Sequence, residues 1–188
     1  MPERPTRPPD LSDGVVRLRP WRHEDAPALV EACNGDDEMA YWLDRLPQPY
    51  TEGDAHDYAD FCTVGWRGEG VETSLCIADA ETGEPLGSSG IFWNDPEAGV
   101  AEIGYWVSRT ARGRGIATRA VQLWAAWTLG ELGWERLELK ADTRNAASCR
   151  VAERAGFTRE GVIRSARENA RDGKRFDFAL YSLLRREA

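Results

Sequence analysis

Apolar and polar positions change period several times along this chain, and each change marks an element. Val15, Leu18 and Trp21 interleave with Arg17, Arg19 and Arg22 in a short run broken by Pro20. Proline cannot donate to a ladder, so the run fits an edge strand leading into a loop. The acidic His23-Glu24-Asp25, with Pro27 in the first turn, predicts a helix through Ala28, Leu29, Val30 and Ala32 that ends at Gly35. Between Asp36 and Gly70, aromatics (Tyr41, Trp42, Tyr50, Tyr58, Phe61, Trp66) mix with acids, and Thr51 precedes helical spacing as a capping residue; two short helices are expected. Thr73 to Ala80 and Leu86 to Trp93 read as strands about a hairpin turn at Glu81-Thr82-Gly83-Glu84-Pro85. After a second turn at Asn94-Asp95-Pro96-Glu97, Val100 to Val107 completes an antiparallel meander.

From Ile116 the period lengthens. Ile116, Ala120, Leu123, Trp124 and Trp127 recur at helical spacing, and Val121, Ala125 and Leu132 widen the apolar arc, which predicts a largely buried helix. Trp124 and Trp127 are therefore expected in the core rather than around a ligand. Leu137 and Leu139 alternate with Arg136, Glu138 and Lys140 as a strand with one wet face; Ala146 to Ala155 form a helix closed by Gly156. Phe157 to Ile163 and Phe176 to Leu184 supply the last two strands. Strands first, then a strand-helix-strand-helix-strand run, indicate a mixed sheet with helices on its faces rather than repeats or two domains.

Composition narrows the function. At 188 residues, 41% apolar and 30% charged, the chain has the content of one folded domain. Residues 1–13, with Pro2, Pro5, Pro8 and Pro9 and no apolar core, are expected as a flexible tail rather than a secretory leader, and 14–188 as the single domain. The net charge of -8 repels polyanions, so nucleic acid is not expected as a partner. No apolar run approaches the roughly 20 residues that cross a bilayer. Cys33, Cys62, Cys76 and Cys149 form no CxxC pair, and His23 and His56 stand at no metal-ligand spacing from them, which implies a reducing, cytoplasmic setting and no metal. Neither histidine has a visible partner for nucleophilic chemistry.

The segment richest in chemistry is Tyr105-Trp106-Val107-Ser108-Arg109-Thr110-Ala111-Arg112-Gly113-Arg114-Gly115-Ile116-Ala117-Thr118: a strand, a Gly/Arg loop and a buried helix in succession. A helix amino terminus favours anions, small glycines let a pyrophosphate approach the backbone, and arginines supply charge-assisted bonds. By itself the loop could equally be a tight turn with solvated arginines. It is neither the dinucleotide fingerprint nor a nucleoside-triphosphate loop.

Arg112-x-x-Gly115-x-Ala117 after a strand resembles the acetyl-CoA-binding motif of the GNAT N-acetyltransferases. Asn145-x-x-Ser148, followed by Gly156-Phe157, resembles the second signature of RimJ/RimL-type members, and Leu18-Arg19-Pro20-Trp21 and Tyr181-Ser182-Leu183-Leu184 are also similar, so the likeness spans Val15 to Leu184. It implies an α+β three-layer fold: a mixed, mostly antiparallel sheet of about seven strands, splayed between the fourth and fifth, with helices on both faces. It also implies acetyl-CoA as cofactor. Backbone at Trp106 and Val107 would hold the pantetheine arm. Arg112, Gly113, Arg114, Gly115 and Ala117, with Ile116 and Thr118 in the same helix start, would bind pyrophosphate, and Asn145 would meet the cofactor near its reactive end. A homodimer is a further expectation of the resemblance, though no heptad marks an interface.

The implied reaction is attack of a neutral amine on a thioester in a ternary complex, whereas free amines titrate from about 8 to above 10. Glu102 occupies the strand position where many family members carry a general base, acting directly or through water; its plain reading is a carboxylate on a wet strand face. Ser148 is the candidate for hydrogen bonding to the departing thiolate, against a plain reading as an early-helix polar residue, and Asn145 doubles as the helix N-cap. Many members place a tyrosine acid four residues before Gly-Phe, but here that position is Ala152. Some use an acid after the sixth strand, where Arg167 and Glu168 stand. The resemblance sets the aromatics from Tyr41 to Trp66, Tyr41, Trp42 and Tyr58 first, over the acceptor, with plain packing as the alternative. An acceptor tunnel lined by Asp36, Asp37, Glu38, Asp54 and Asp57 would suit a protein amino terminus or a small cationic amine. A different class of function also fits, an acyl-CoA-binding module without turnover.

Overall fold

The computed structural model describes residues 3–68 and 72–188; Met1 and Pro2 of the expected tail, and Gly70 at the end of the aromatic stretch, lie outside them. The strands are β1 (Leu11–Ser12), β2 (Val16–Arg19), β3 (Glu72–Asp79), β4 (Pro85–Asp95), β5 (Val100–Val107), β6 (Arg136–Asp142), β7 (Thr158–Glu168) and β8 (Arg175–Leu184). The helices are α1 (Ala26–Asn34), α2 (Asp37–Trp42), α3 (Glu52–Trp66), α4 (Ile116–Ala125) and α5 (Ala146–Arg154). One 8-stranded sheet runs β1-β2-β3-β4-β5-β6-β8-β7, antiparallel except between β5 and β6.

That parallel pair decides the shape. Only Val100↔Arg136, Ala101↔Leu137 and Glu102↔Glu138 pair, whereas β5 stays bonded to β4 as far as Val107 and β6 to β8 as far as Asp142. Each strand follows its outer neighbour, and the two diverge after Glu102. With β1 as an added edge strand, β5 and β6 are the fourth and fifth strands of the expected seven, so the splay lies where the resemblance puts it.

Helices cover both faces because neighbouring side chains on a strand point opposite ways. Ser88 meets Tyr58 of α3 at 2.8 Å, while Ser89 accepts from the Trp124 indole of α4 at 2.9 Å. Ile103, Leu137 and Leu139 bury against α4 and α5, whereas Cys76 and Ala78 join α1 and α3 in a second cluster with Trp21, Leu29 and Tyr58.

Several expectations shift. The strand at Val15 is not an edge: β1 pairs outside it, and Arg4 donates to Gly65 O at 2.8 Å, so ordered contacts begin inside residues 1–13. The second of the two expected short helices, α3, runs 15 residues, opened by a capping box in which Asp54 N–H donates to Thr51 Oγ1 at 3.2 Å and Thr51 N–H to Asp54 Oδ2 at 2.8 Å. The helix from Ile116 is not uniform: from Ala126 to Glu131 it widens into a π-helical turn, with Leu132 N–H donating to Trp127 O at 2.9 Å. β7 extends beyond Ile163: after a bulge at Arg164 and Ser165, polar residues that give no strand signal, Arg167 and Glu168 pair again with Phe176 and Arg175 of β8.

Candidate active site

The site is a cleft of about 350 Å³ at the divergence of β5 and β6. One wall is the loop after β5. Gly113 and Gly115 take φ of 75° and 78°, a left-handed conformation in which a side chain is strained, and this turns the chain sharply into α4. Asp36 caps α2, Thr51 caps α3 and Asn145 caps α5 with side-chain oxygens, whereas α4, like α1, has no side-chain cap. Its first hydrogen bond is Arg119 N–H to Gly115 O at 3.1 Å, which leaves the N–H groups of Ile116, Ala117 and Thr118 without a helical partner. An uncapped helix start carries partial positive charge and suits an anion.

The Arg112 side chain turns elsewhere. Its guanidinium bridges the acids at the start of α2, reaching Glu38 Oε2 at 3.0 Å and the buried Asp36 carboxylate, and Nε donates to Val107 O at 3.3 Å. The loop therefore offers backbone toward an anion, and Arg112 ties the loop to α2. Arg112→Ala leaves Asp36, only 4% exposed, without its counter-ion. A loss of about 2 kcal/mol of stability is expected in a urea titration, the scale of a hydrogen bond to a charged group; no change would mean the tie is idle.

The opposite wall is α5. Asn145 Oδ1 accepts from Ser148 N–H at 3.0 Å, so the two candidate residues are locked to each other at the helix start. Ser148 Oγ also lies 2.9 Å from the Tyr105 hydroxyl, and both side chains line the cleft. Burial pushes the Tyr105 phenol up to about 12, so it stays protonated at any ordinary pH. Sequence reasoning passed over Tyr105; the available signal was alternation, which sets it opposite Trp106 and hence toward the α4–α5 face.

Other site candidates divide. Trp106, Val107, Gly113, Gly115, Ile116, Ala117 and Thr118 line the cleft together with Asn145 and Ser148. Arg114 does not; it is exposed beside the loop. Trp42 contributes to the α2 wall. Tyr41 sits behind it, edge-on at 4.9 Å, and the two rings with Phe176 surround the Arg144 guanidinium at 5.9, 5.9 and 4.4 Å. Arg144, ion-paired to the buried Asp142 at 2.7 Å, was also missed. Tyr58 is away from the cleft, bonded to Ser88 in the core under α3.

Glu102 stands at the last paired rung of β5 and β6, three residues before Tyr105 and so on the other face. It is outside the cleft lining and accepts from Lys140 Nζ at 2.7 Å and Asn94 Nδ2 at 3.1 Å. The expected acidic tunnel is not assembled: Asp36 and Glu38 bind Arg112, Asp54 closes the α3 capping box, and Asp37 and Asp57 are exposed on the surface. Glu168 is exposed and faces Arg175 at 3.5 Å, while Arg167 pairs with the buried Asp44. Among the described residues there is no group of three or more His, Cys, Asp or Glu that could hold a metal, and no helix is long and apolar enough to cross a membrane.

The sheet is thus parted at its parallel pair, with an uncapped helix start and a pair of hydroxyls lining the gap. The chain matches the family described as "Acetyltransferase (GNAT) domain" over residues 16–158. It belongs to that family and is an N-acetyltransferase. The uncharacterised N-acetyltransferase p20 of Bacillus licheniformis is 35% identical over 174 residues, 92% of this chain and 94% of the relative. The structure of the microcin C7 self-immunity acetyltransferase MccE with acetyl-CoA and AMP superposes with a TM-score of 0.77 at 23% identity, over 92% of this chain and 93% of that one. That of RimL, the ribosomal L7/L12 α-N-protein acetyltransferase, with coenzyme A gives 0.75 at 22%, over 93% and 96%.

Proposed function

We propose that this protein transfers an acetyl group from acetyl-CoA to a primary amine by direct attack in a ternary complex, and that the acceptor is a protein amino-terminal α-amine. The observation that carries the reading is that the uncapped start of α4 and the Tyr105–Ser148 hydroxyls line one cleft. An anion-binding end and a thiolate-stabilising end thus share one site, as a coenzyme A thioester requires.

Backbone N–H groups of Ile116, Ala117 and Thr118, with the loop from Arg112 to Gly115, would receive the pyrophosphate. The edge of β5 beyond Glu102, through Trp106 and Val107, has no β6 partner, so it is open to the pantetheine arm as an exposed strand edge is to any extended chain. Bound there, acetyl-CoA supplies an acetyl thioester beside Asn145 and Ser148. Ser148 hydrogen-bonds to the sulfur as it leaves, and Glu102 takes the amine proton through an intervening water, since it stands outside the lining.

The α-amine is favoured over a polyamine or aminoglycoside because three of the five acids that would attract a polycation are engaged, Asp36 and Glu38 by Arg112 and Asp54 by a helix cap, and Asp37 and Asp57 do not line the cleft. The name of RimL points the same way. A free-thiol release assay over peptides and small cationic amines tests the reading. Peptide-dependent thiol release is expected. Acetyl-CoA binding with no thiol release from any amine would reduce the protein to an acyl-CoA-binding module. Glu102→Gln should lower kcat about 100-fold with KM for acetyl-CoA unchanged, at the lower end of general-base effects; wild-type turnover would remove Glu102 as base without touching the cofactor assignment.

A further inference from the structure

Ser148 can stabilise a thiolate only if its own hydrogen points at the sulfur, and a hydroxyl rotates freely unless a neighbour fixes it. Three observations bear on what fixes it. Asn145 Oδ1 holds the Ser148 backbone N–H at 3.0 Å, which places the residue but not its hydroxyl hydrogen. The Tyr105 hydroxyl lies 2.9 Å from Ser148 Oγ, arriving from β5 across the cleft. The Tyr105 hydroxyl, half-buried at the cleft wall, has Ser148 Oγ as its one hydrogen-bond partner among the described residues, and a phenol is a stronger donor than an aliphatic hydroxyl. With its oxygen so occupied, the serine has its own hydrogen left to point into the cleft.

We propose that Tyr105 is a positioning residue for acetyl transfer: its phenol donates to Ser148 Oγ and thereby turns the Ser148 hydrogen toward the thioester sulfur. This rests on the acetyl-CoA reading of the cleft. As the amine lone pair forms the C–N bond and the C–S bond breaks, the electron pair departs on sulfur and meets the Ser148 hydrogen, with Tyr105 supporting that oxygen from behind. The amine proton leaves through Glu102 and water and ends on coenzyme A. Tyr105 itself keeps its proton. Burial pushes the phenol up to about 12, so the proton stays on the oxygen and only the hydrogen bond is offered.

The test uses the full chain and three variants, Tyr105→Phe, Ser148→Ala and the double variant, with two readouts. The first is the titration of the coenzyme A thiol when bound, followed by thiolate ultraviolet absorbance. The second is turnover, split into kcat and KM for acetyl-CoA. Tyr105→Phe should raise the pH at which the bound thiol ionises and lower kcat about tenfold at constant KM. Ser148→Ala should do at least as much, and the double variant should be no worse than Ser148→Ala alone, because Tyr105 acts only through that hydroxyl. Tyr105→Phe with wild-type titration and kcat overturns the proposal, as do additive losses in the double variant. A protein that binds no coenzyme A overturns the cleft assignment and this proposal with it; binding with unaltered thiol titration in Tyr105→Phe overturns the proposal alone.

Discussion

Replacing Ala117 with aspartate is expected to weaken acetyl-CoA binding about 100-fold while leaving the thermal midpoint unchanged or slightly raised. Ala117 is the second residue of α4, at a helix start with no side-chain cap. In the free protein a carboxylate there meets N–H groups that lack partners and gains about 0.3–1 kcal/mol from the helix end. The same charge repels a diphosphate. At an effective dielectric near 20 a like-charge pair ~6 Å apart costs roughly 3 kcal/mol, which is about two powers of ten in Kd. Calorimetric binding and thermal unfolding thus move in opposite directions, and a damaged fold cannot imitate the result. An unchanged Kd would take the diphosphate out of this loop.

Trp124→Ala should have the largest effect on stability, a loss of about 4 kcal/mol, with little effect on acetyl-CoA affinity in protein that remains folded. Trp124 is fully buried, stacked on Trp66 with centroids 6.2 Å apart and edge-on to Trp127 at 5.5 Å. Removing so large a side chain from a packed interior costs about 3–5 kcal/mol. The indole N–H also donates to Ser89 Oγ at 2.9 Å, and Ser89 is buried, so the substitution strands a hydroxyl as well. Such a loss is a large share of the roughly 5–15 kcal/mol that holds a typical domain together. Urea unfolding reads it as a lower midpoint at constant slope. A loss under about 1 kcal/mol would mean that α4 is not anchored through this residue. The contrast with Ala117 follows from helix geometry: one face of α4 carries the core, and its free end faces the cleft.

What could be read from the sequence was local. Thr51 signals α3 because the partner it needs, Asp54, is three residues away, and Asn145 signals α5 for the same reason with Ser148. The loop of Gly113 and Gly115 between an apolar strand and an apolar helix is likewise written within a dozen residues. What escaped was distant. Asp36 and Glu38 looked like a lure for cations because nothing nearby neutralises them; their partner Arg112 is 76 and 74 residues away. Tyr105 looked like one more strand aromatic because Ser148 is 43 residues on. β1 is two residues long, too short to show alternation, and exists only because β2 offers it an edge.

The sequence by itself determined the order of the seven longer strands and of the helices, the helix start after Gly115, and, through paired signatures from Arg112 to Phe157, the family. These follow from period, capping and backbone freedom, which act over one turn or one strand. Tertiary structure alone decided that β5 and β6 part after Glu102, that Arg112 serves α2 while its loop keeps free N–H groups, and that Tyr105 reaches Ser148. Each of those depends on which of two neighbours a strand or side chain follows when both are available, and that choice is made by packing across the whole sheet.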